Sequence, residues 1–393
     1  MLILKNARVL PQLTESPVDQ LCDIVIEGEN ISSITSAGSA KGDDIVDLAG
    51  KTLLPGLIDA HVHLDCSGMN IWEENEQPDA YRVLRAVWLA RNTLAKGFTT
   101  LRDCGDRNNT IIDLARAVKD GYIEAPDILA AGVIITPTES GNEYFKGMYA
   151  ESDGHDEIVK NVRRQIQRGA DWIKYMGTGA VMNPGGEPGA PIYTQEEVDA
   201  ICKTAAMRGV PVVAHGHGSA GIQYAINAGV RTIEHASILT EEIVESLKGN
   251  TDTYLVPTML PFARWSEAEG DFPEHYLEKG RKIFQQQVKS VSMAYKAGLK
   301  LGFGTDVGTY TDSHGDNSHE FKVRVKFANM KPLDTLLQAT KYNSEILKIE
   351  NEVGTIKVGK RANLVVFDGK PDENIDDVDR VHLVIKAGVP VKA

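Results

Sequence analysis

Eight short apolar runs alternate with amphipathic segments through the middle of this chain, and no other feature constrains its fold as strongly. The runs lie at 56–63, 98–104, 127–136, 171–177, 210–215, 231–235, 253–259 and 299–305. Each has the length of a strand. Tyr81–Ala90 and Ile158–Ile166 carry apolar residues at helical spacing. Thr194 with Glu197 reads as a capping box, and Thr240 followed by Glu241 and Glu242 opens a further helix. Gly97, Gly169, Gly209, Gly229 and Gly298 stand where such helices close, the position that favours a left-handed glycine. Repeated strand–helix units of this number predict an α/β chain built as a (β/α)8 TIM barrel. A doubly wound open sheet would need a phosphate-binding glycine loop after its first strand, and none is present there.

Both ends of the chain read differently. Ile24–Ile31 and Asp44–Leu48 are short strand-like runs, and so are Ala362–Gly369 and Val381–Ile385. Neither end alone can bury a good core. Together they predict a small discontinuous β-sandwich, made of residues 1–54 and 351–393, into which the barrel of residues 55–350 is inserted.

Composition narrows the function. The formal net charge of −13 argues against nucleic acid as a partner, because phosphate binding needs a basic surface. Cys22, Cys66, Cys104 and Cys202 form no C-x-x-C pair, so neither a disulfide framework nor a thiolate zinc site is expected. The N-terminus lacks the basic start and long apolar core of a signal peptide, and no apolar run is long enough for a membrane span. These features predict a cytoplasmic protein with no membrane partner; a small-molecule substrate and assembly as a homo-oligomer are further expectations.

In a TIM barrel the chemistry sits where the strands end. The first run ends in His61-Val62-His63, and residues two apart on a strand face the same side. The fourth contains Lys174, the fifth ends in His215-Gly216-His217, the sixth in His235 and the eighth in Asp306. Imidazoles and a carboxylate suit Zn²⁺, Mn²⁺ or Fe²⁺. Lys174 inside an apolar strand is costly to bury charged. Deprotonated, it can react with CO₂ to give a bridging carbamate. His61, His63, His215, His235, carboxylated Lys174 and Asp306 would then hold two divalent ions, zinc being the expected pair. Taken singly, each group has a plainer reading: Lys174 as the partner of a carboxylate, the histidines as core residues, Asp306 as a turn residue.

These motifs together resemble the amidohydrolase superfamily. The resemblance rests on Pro55–His63, Ala214–Gly218, Ile233–His235, Gly304–Asp306 and the tail Gly354–Val366, and it spans nearly the whole chain. Thr99–Gly105, Ile173–Gly179 and His314–Glu320 look most like the branch related to imidazolonepropionase and Xaa-Pro dipeptidase (prolidase). The resemblance implies that His61, His63, Lys174 and Asp306 hold one metal, and that Lys174 also reaches the metal of His215 and His235. Dipeptidase relatives carry a Gly-Gly-His-Gly loop after strand three. Here Thr136–Tyr144 stands in its place without that histidine, which bears on a dipeptide substrate rather than on the hydrolytic chemistry. The stretch reads either as a lid or as an exposed loop.

The expected activity is hydrolysis of an amide or peptide-like C–N bond by a hydroxide shared between the metals. Asp306 is the proton shuttle and His217 the oxyanion partner. A dipeptide or an N-acyl amino acid would suit it. Arg102, Tyr144 and His314 are the expected substrate contacts, with Lys146 and Arg264 as further cations for a substrate carboxylate. The loops at 138–152, 183–191, 260–276 and 309–319 should carry specificity. A one-metal deaminase or cyclic amidohydrolase of the same superfamily is the alternative. Lys174 and the lack of a glutamate three residues after His215 speak against the deaminase. A non-catalytic barrel scaffold would predict missing ligands, and none is missing.

Overall fold

The computed structural model describes residues 1–15, 21–67, 71–185, 187–250, 252–268, 272–310 and 313–392. Near the N-terminus run the strands β1 Leu2–Arg8, β2 Leu21–Glu27, β3 Asn30–Ser36, β4 Asp44–Asp47 and β5 Thr52–Pro55. The middle supplies β6 Leu57–Val62, β7 Phe98–Asp103, β8 Asp127–Ala130, β9 Ile134–Thr136, β10 Tyr149–Glu151, β11 Ile173–Met176, β12 Val212–Gly216, β13 Thr232–His235 and β14 Tyr254–Val256. The C-terminal part adds β15 Leu364–Phe367, β16 Val381–Lys386 and β17 Val389–Pro390.

Strands from both ends join in one sheet, in the order β17-β16-β15-β5-β1-β2-β3, with β4 paired to β1. The join is antiparallel: Val365 faces Leu54 and Val366 faces Leu53 across β15 and β5. Side chains alternate across such a ladder. Leu53 and Val366 therefore enter a core with Leu4, Ile24 and Ile385. Leu54 and Val365 point the other way, into a core shared with Leu57, Phe98 and Leu101. This alternation seats the sheet against the middle of the chain.

The middle strands are parallel. β6, β7 and β8 form one sheet, and β10, β9, β11, β12, β13 and β14 form another. The run expected as one strand at 127–136 divides between the two. Gly132, at φ +70°, turns the chain there, and a Cβ on it would lie 2.4 Å from Asn109 Oδ1. The run at 299–305 forms no regular strand, although its backbone bonds on both sides. Ala60 N donates to Phe303 O at 2.9 Å, and Gly302 N donates to Leu255 O at 2.8 Å. The Asn343 amide takes over part of the ladder: Phe303 N donates to its Oδ1, while its Nδ2 donates to Ile58 O and Phe303 O. The chain also packs closely here: a Cβ at Gly304 would sit 2.9 Å from the His61 Cβ.

Helices connect these strands as the sequence predicts. Asp79–Ala95 and Gly154–Arg168 cover the two expected helical segments. Thr194 closes a full capping box with Glu197, and the Thr240 hydroxyl accepts from Ile243 N. The closing residues Gly97, Gly169, Gly209, Gly229 and Gly298 all have positive φ. The four cysteines are free thiols. Among the described residues, no helix is long and apolar enough to cross a membrane.

Candidate metal centre

His61, His63, Lys174, His215, His217, His235 and Asp306 all line one cavity, which encloses about 690 Å³ up to its open mouth. The site is assembled from the ends of β6, β12 and β13, from Lys174 within β11, and from the segment that follows Phe303. Several of these side chains sit within a few ångströms of one another. His61 Nε2 is 3.4 Å and His63 Nε2 3.5 Å from Asp306 Oδ1. His235 Nε2 is 2.9 Å from His215 Nδ1.

The far nitrogens of these rings are pinned by other groups. His61 Nδ1 lies 2.6 Å from Glu234 Oε2, and His63 Nδ1 lies 2.8 Å from Gly105 O. His235 Nδ1 meets Thr258 Oγ1 at 2.7 Å, and His217 Nδ1 meets Ser237 Oγ at 2.8 Å. A carbonyl oxygen only accepts, so His63 Nδ1 carries the proton and its Nε2 presents a lone pair. Ring orientation by an outer hydrogen bond is the usual support of a metal-binding imidazole.

Burial sets the protonation of four of the five rings, while at His61 the nearby Cys104 and Asp306 outweigh it and raise the ring well above its ordinary value. Burial drives His215 and His235 well below the ordinary imidazole value, aided at His215 by His217 and at His235 by His215, and at both by Lys174. It pushes His63 down to about 4 and His217 down to about 3. All four are neutral at pH 7, the form that binds a cation. Burial acts to raise Asp306, and the facing His61 and His63 outweigh it, holding the carboxyl below its ordinary range.

Two of these residues have strained backbones. His235 has φ 68° and Asp306 has φ 58°. A non-glycine residue in this region costs on the order of 1–2 kcal/mol, so the surrounding structure must enforce it. The turn at His235 has a geometric effect. Alternation along β13 would send Glu234 and His235 to opposite faces, yet both rest against His61.

The donor set fits divalent ions. His61, His235 and Asp306 offer ligand atoms within 4.8 Å of one another, and so do His215, His217 and His235. His215 Nε2 is buried without a hydrogen-bond partner.

Residues 52–391 match the amidohydrolase family. The chain belongs to that family. As an amidohydrolase it is an enzyme, a hydrolase that acts on carbon–nitrogen bonds, in a family that generally uses divalent metals. It is 28% identical over 355 residues to ochratoxinase of Aspergillus niger, covering 82% of this chain and 71% of that one. Its fold matches a prolidase crystallised with N-methylphosphonate-L-proline at a TM-score of 0.89 and 30% identity, over 99% of both chains. It also matches a Xaa-Pro dipeptidase with bound methionine at a TM-score of 0.87 and 31% identity, over 100% of this chain and 99% of the other.

The expected substrate contacts of this amidohydrolase need correction. Arg102 is fully buried and faces no substrate. Its Nε donates to Ala60 O, its Nη1 to Thr232 Oγ1 and its Nη2 to Glu234 Oε1, and it stacks 4.6 Å from the Trp172 ring. His314 does not line the cavity. Its Nε2 lies 3.1 Å from His63 O and 2.9 Å from Cys66 O, so it braces the turn after β6. Tyr144 packs beside the cavity with Phe145 and Met148, but only those two line it. Lys146 is exposed, and Arg264 pairs with Asp316 at 3.0 Å.

The stretch after strand three folds as a short 3-10 turn, Asn142–Phe145, followed by β10. Two further loops expected to carry specificity also reach the cavity, through Trp265 and Thr309, while the 183–191 loop comes no nearer than the preceding Met182. Residues 186, 269–271 and 311–312 of those loops lie outside the described residues. Sequence reading missed Glu234, Thr258, Ser237 and Arg107. The last lines the cavity two residues beyond Gly105, and no spacing rule singles it out.

Proposed function

We propose that this amidohydrolase cleaves an amide or peptide-like bond of a small molecule at a two-metal centre, with zinc as the working ion. In this reading the parallel strands and the 301–307 segment make one (β/α)8 barrel, and the sheet of both chain ends is its appended domain. His61, His63 and Asp306 would hold one ion and His215 and His235 the other, with carboxylated Lys174 as a further ligand. Among the described residues no carboxylate lies within 4.0 Å of the Lys174 amine, and carboxylation would turn this amine into an anionic ligand whose charge bound divalent ions would balance. Bound divalent ions would supply a water nucleophile usable at neutral pH and polarise the scissile carbonyl.

Asp306 accepts the nucleophile's proton and passes it to the leaving nitrogen. In the tautomer where the Ser237 hydroxyl donates to His217 Nδ1, the proton of that ring sits on Nε2, available to the developing oxyanion. The pocket that receives the substrate is walled by Phe145, Met148, Phe262 and Trp265. The prolidase and Xaa-Pro dipeptidase among the structural neighbours support a peptide-like bond.

The observation that carries this reading is that His61 and His63 turn ring nitrogens toward Asp306 in one cavity that Lys174, His215 and His235 also line. Metal analysis of enzyme loaded with zinc and bicarbonate tests it, together with a screen of N-acyl amino acids, dipeptides and cyclic amides. Two ions per chain and amide turnover are expected. One ion with release of ammonia from an amino-substituted ring would establish the deaminase instead.

A further inference from the structure

Arg107 is the one guanidinium among the described residues that line the cavity. It lies in the loop after β7, is 1% exposed, and is clamped on several sides. Its backbone N donates to Asp65 Oδ2 at 2.9 Å, its Nε donates to Asn75 Oδ1 at 3.2 Å, and its Nη1 reaches Asp65 Oδ2 and Cys66 Sγ. Nη2 carries none of these bonds.

The local charge does not cancel. Asp65 is fully buried, and its two oxygens are shared by Arg107 at 3.2 Å and Arg82 at 3.1 Å. The nearby Glu74 is taken by Arg85 at 2.7 Å. The other partner of Arg82, Asp79, is 53% exposed, so water screens most of its charge. One buried carboxylate thus pairs directly with two buried guanidiniums, and the one whose Nη2 makes no such bond lines the cavity of the centre, beside Phe145 and Met148. A buried charge in such a place is normally completed by an anion.

We infer that Arg107 receives the carboxylate of the substrate, whose remaining bulk is apolar. This inference rests on the proposed amide hydrolysis and names its substrate class: N-acylated hydrophobic amino acids, among them dipeptides with a free C-terminus. The carboxylate docks at Arg107, beside Cys66 and near the His63 end of the centre. The hydrophobic part rests on Phe145, Met148, Phe262 and Trp265. The rigid clamp pre-pays the ordering of a long side chain, which favours binding.

The test is calorimetric binding of two probes to the metal-loaded enzyme, 3-phenylpropanoate and its neutral counterpart 3-phenylpropan-1-ol. Wild type should prefer the carboxylate by about 10- to 100-fold, the range of a charge-assisted hydrogen bond. Arg107→Met should bring that ratio close to one while the alcohol binds as before. Arg107→Lys should keep part of the preference. Arg107→Gln, which retains donors toward Asp65, serves if the Met variant fails to fold.

An undiminished ratio in the neutral variants overturns the inference, because the metals alone would then hold the carboxylate. Equal weakening of both probes overturns it too, as the mark of a purely structural arginine. So does a wild type that binds the two alike or binds neither. The hydrolytic reading is scored separately. A wild type that discriminates the probes yet cleaves no N-acyl amino acid overturns that reading and leaves the docking role standing.

Discussion

Glu234 Oε2 lies 2.6 Å from His61 Nδ1, tying a candidate metal ligand to a fully buried carboxylate. The other oxygen of Glu234 accepts from Arg102 Nη2 at 2.9 Å. Burial acts to raise this carboxyl, but Arg102 first and then His61 outweigh it and hold it at about 2. The pair orients His61 so that its inner nitrogen faces Asp306.

Glu234→Gln should therefore lower metal affinity about 10- to 100-fold, the usual cost of removing an outer partner of a metal-bound histidine. It also leaves Arg102 buried without a counter-ion, so stability should fall by about 3–5 kcal/mol. Metal retention during dialysis against a chelator reads the first effect, and urea unfolding reads the second.

Asp306→Asn keeps the shape of the residue and removes its ability to take a proton. Turnover should fall about 10²- to 10⁴-fold. Metal content, measured by elemental analysis, should persist, because His61, His63 and Lys174 remain. Wild-type activity in this variant would end the proton-shuttle role.

Arg8 grips Asp372 with two parallel bonds of 2.8 Å, joining β1 to the turn between β15 and β16. Burial acts to raise the Asp372 carboxyl, and the bonds from Arg8 outweigh it, so the folded state holds it below its ordinary value. A lowered carboxylate contributes stability above the unfolded value of about 3.9 and loses it as pH falls through the folded value. Asp372→Asn should cost about 1.5–3 kcal/mol at pH 7. The gap in unfolding free energy between wild type and variant should close below about pH 4. A gap that stays constant down to acid pH would show that the charge contributes nothing.

Gly132→Ala should destabilise the chain by about 2 kcal/mol or more, from the left-handed backbone and the clash it forces. The clash is with Asn109 Oδ1 at 2.4 Å and Gln165 Oε1 at 2.8 Å. Denaturant unfolding measures the loss. A neutral outcome would mean that the turn between β8 and β9 tolerates a side chain.

Much of the molecule was legible before any coordinates. Strand and helix positions follow from periodicity and closing glycines, which act over a few residues. The runs holding Lys174, His215 and His235 became strands as expected, and the ends of the chain shared one sheet. The 127–136 run was readable as apolar but not as two strands, because the division depends on Asn109 and Gln165 packing around Gly132. The 299–305 run looked like a strand, yet Asn343, about forty residues on, supplies the bonds its neighbours needed.

What the sequence determined was the supply of chemistry: imidazoles, an amine and a carboxylate at the ends of predicted strands. Strand period and strand-end position are local properties, so they survive without knowledge of the fold. Only the tertiary structure decided which charges meet. It placed Arg102 under the centre against Glu234 and Trp172, and set Arg107 in the cavity wall with Asp65 divided between two arginines. Both arginines lie on or just after the same strand, and a guanidinium's role depends on partners far away in sequence. Desolvation and pairing act through space, and no local pattern records them.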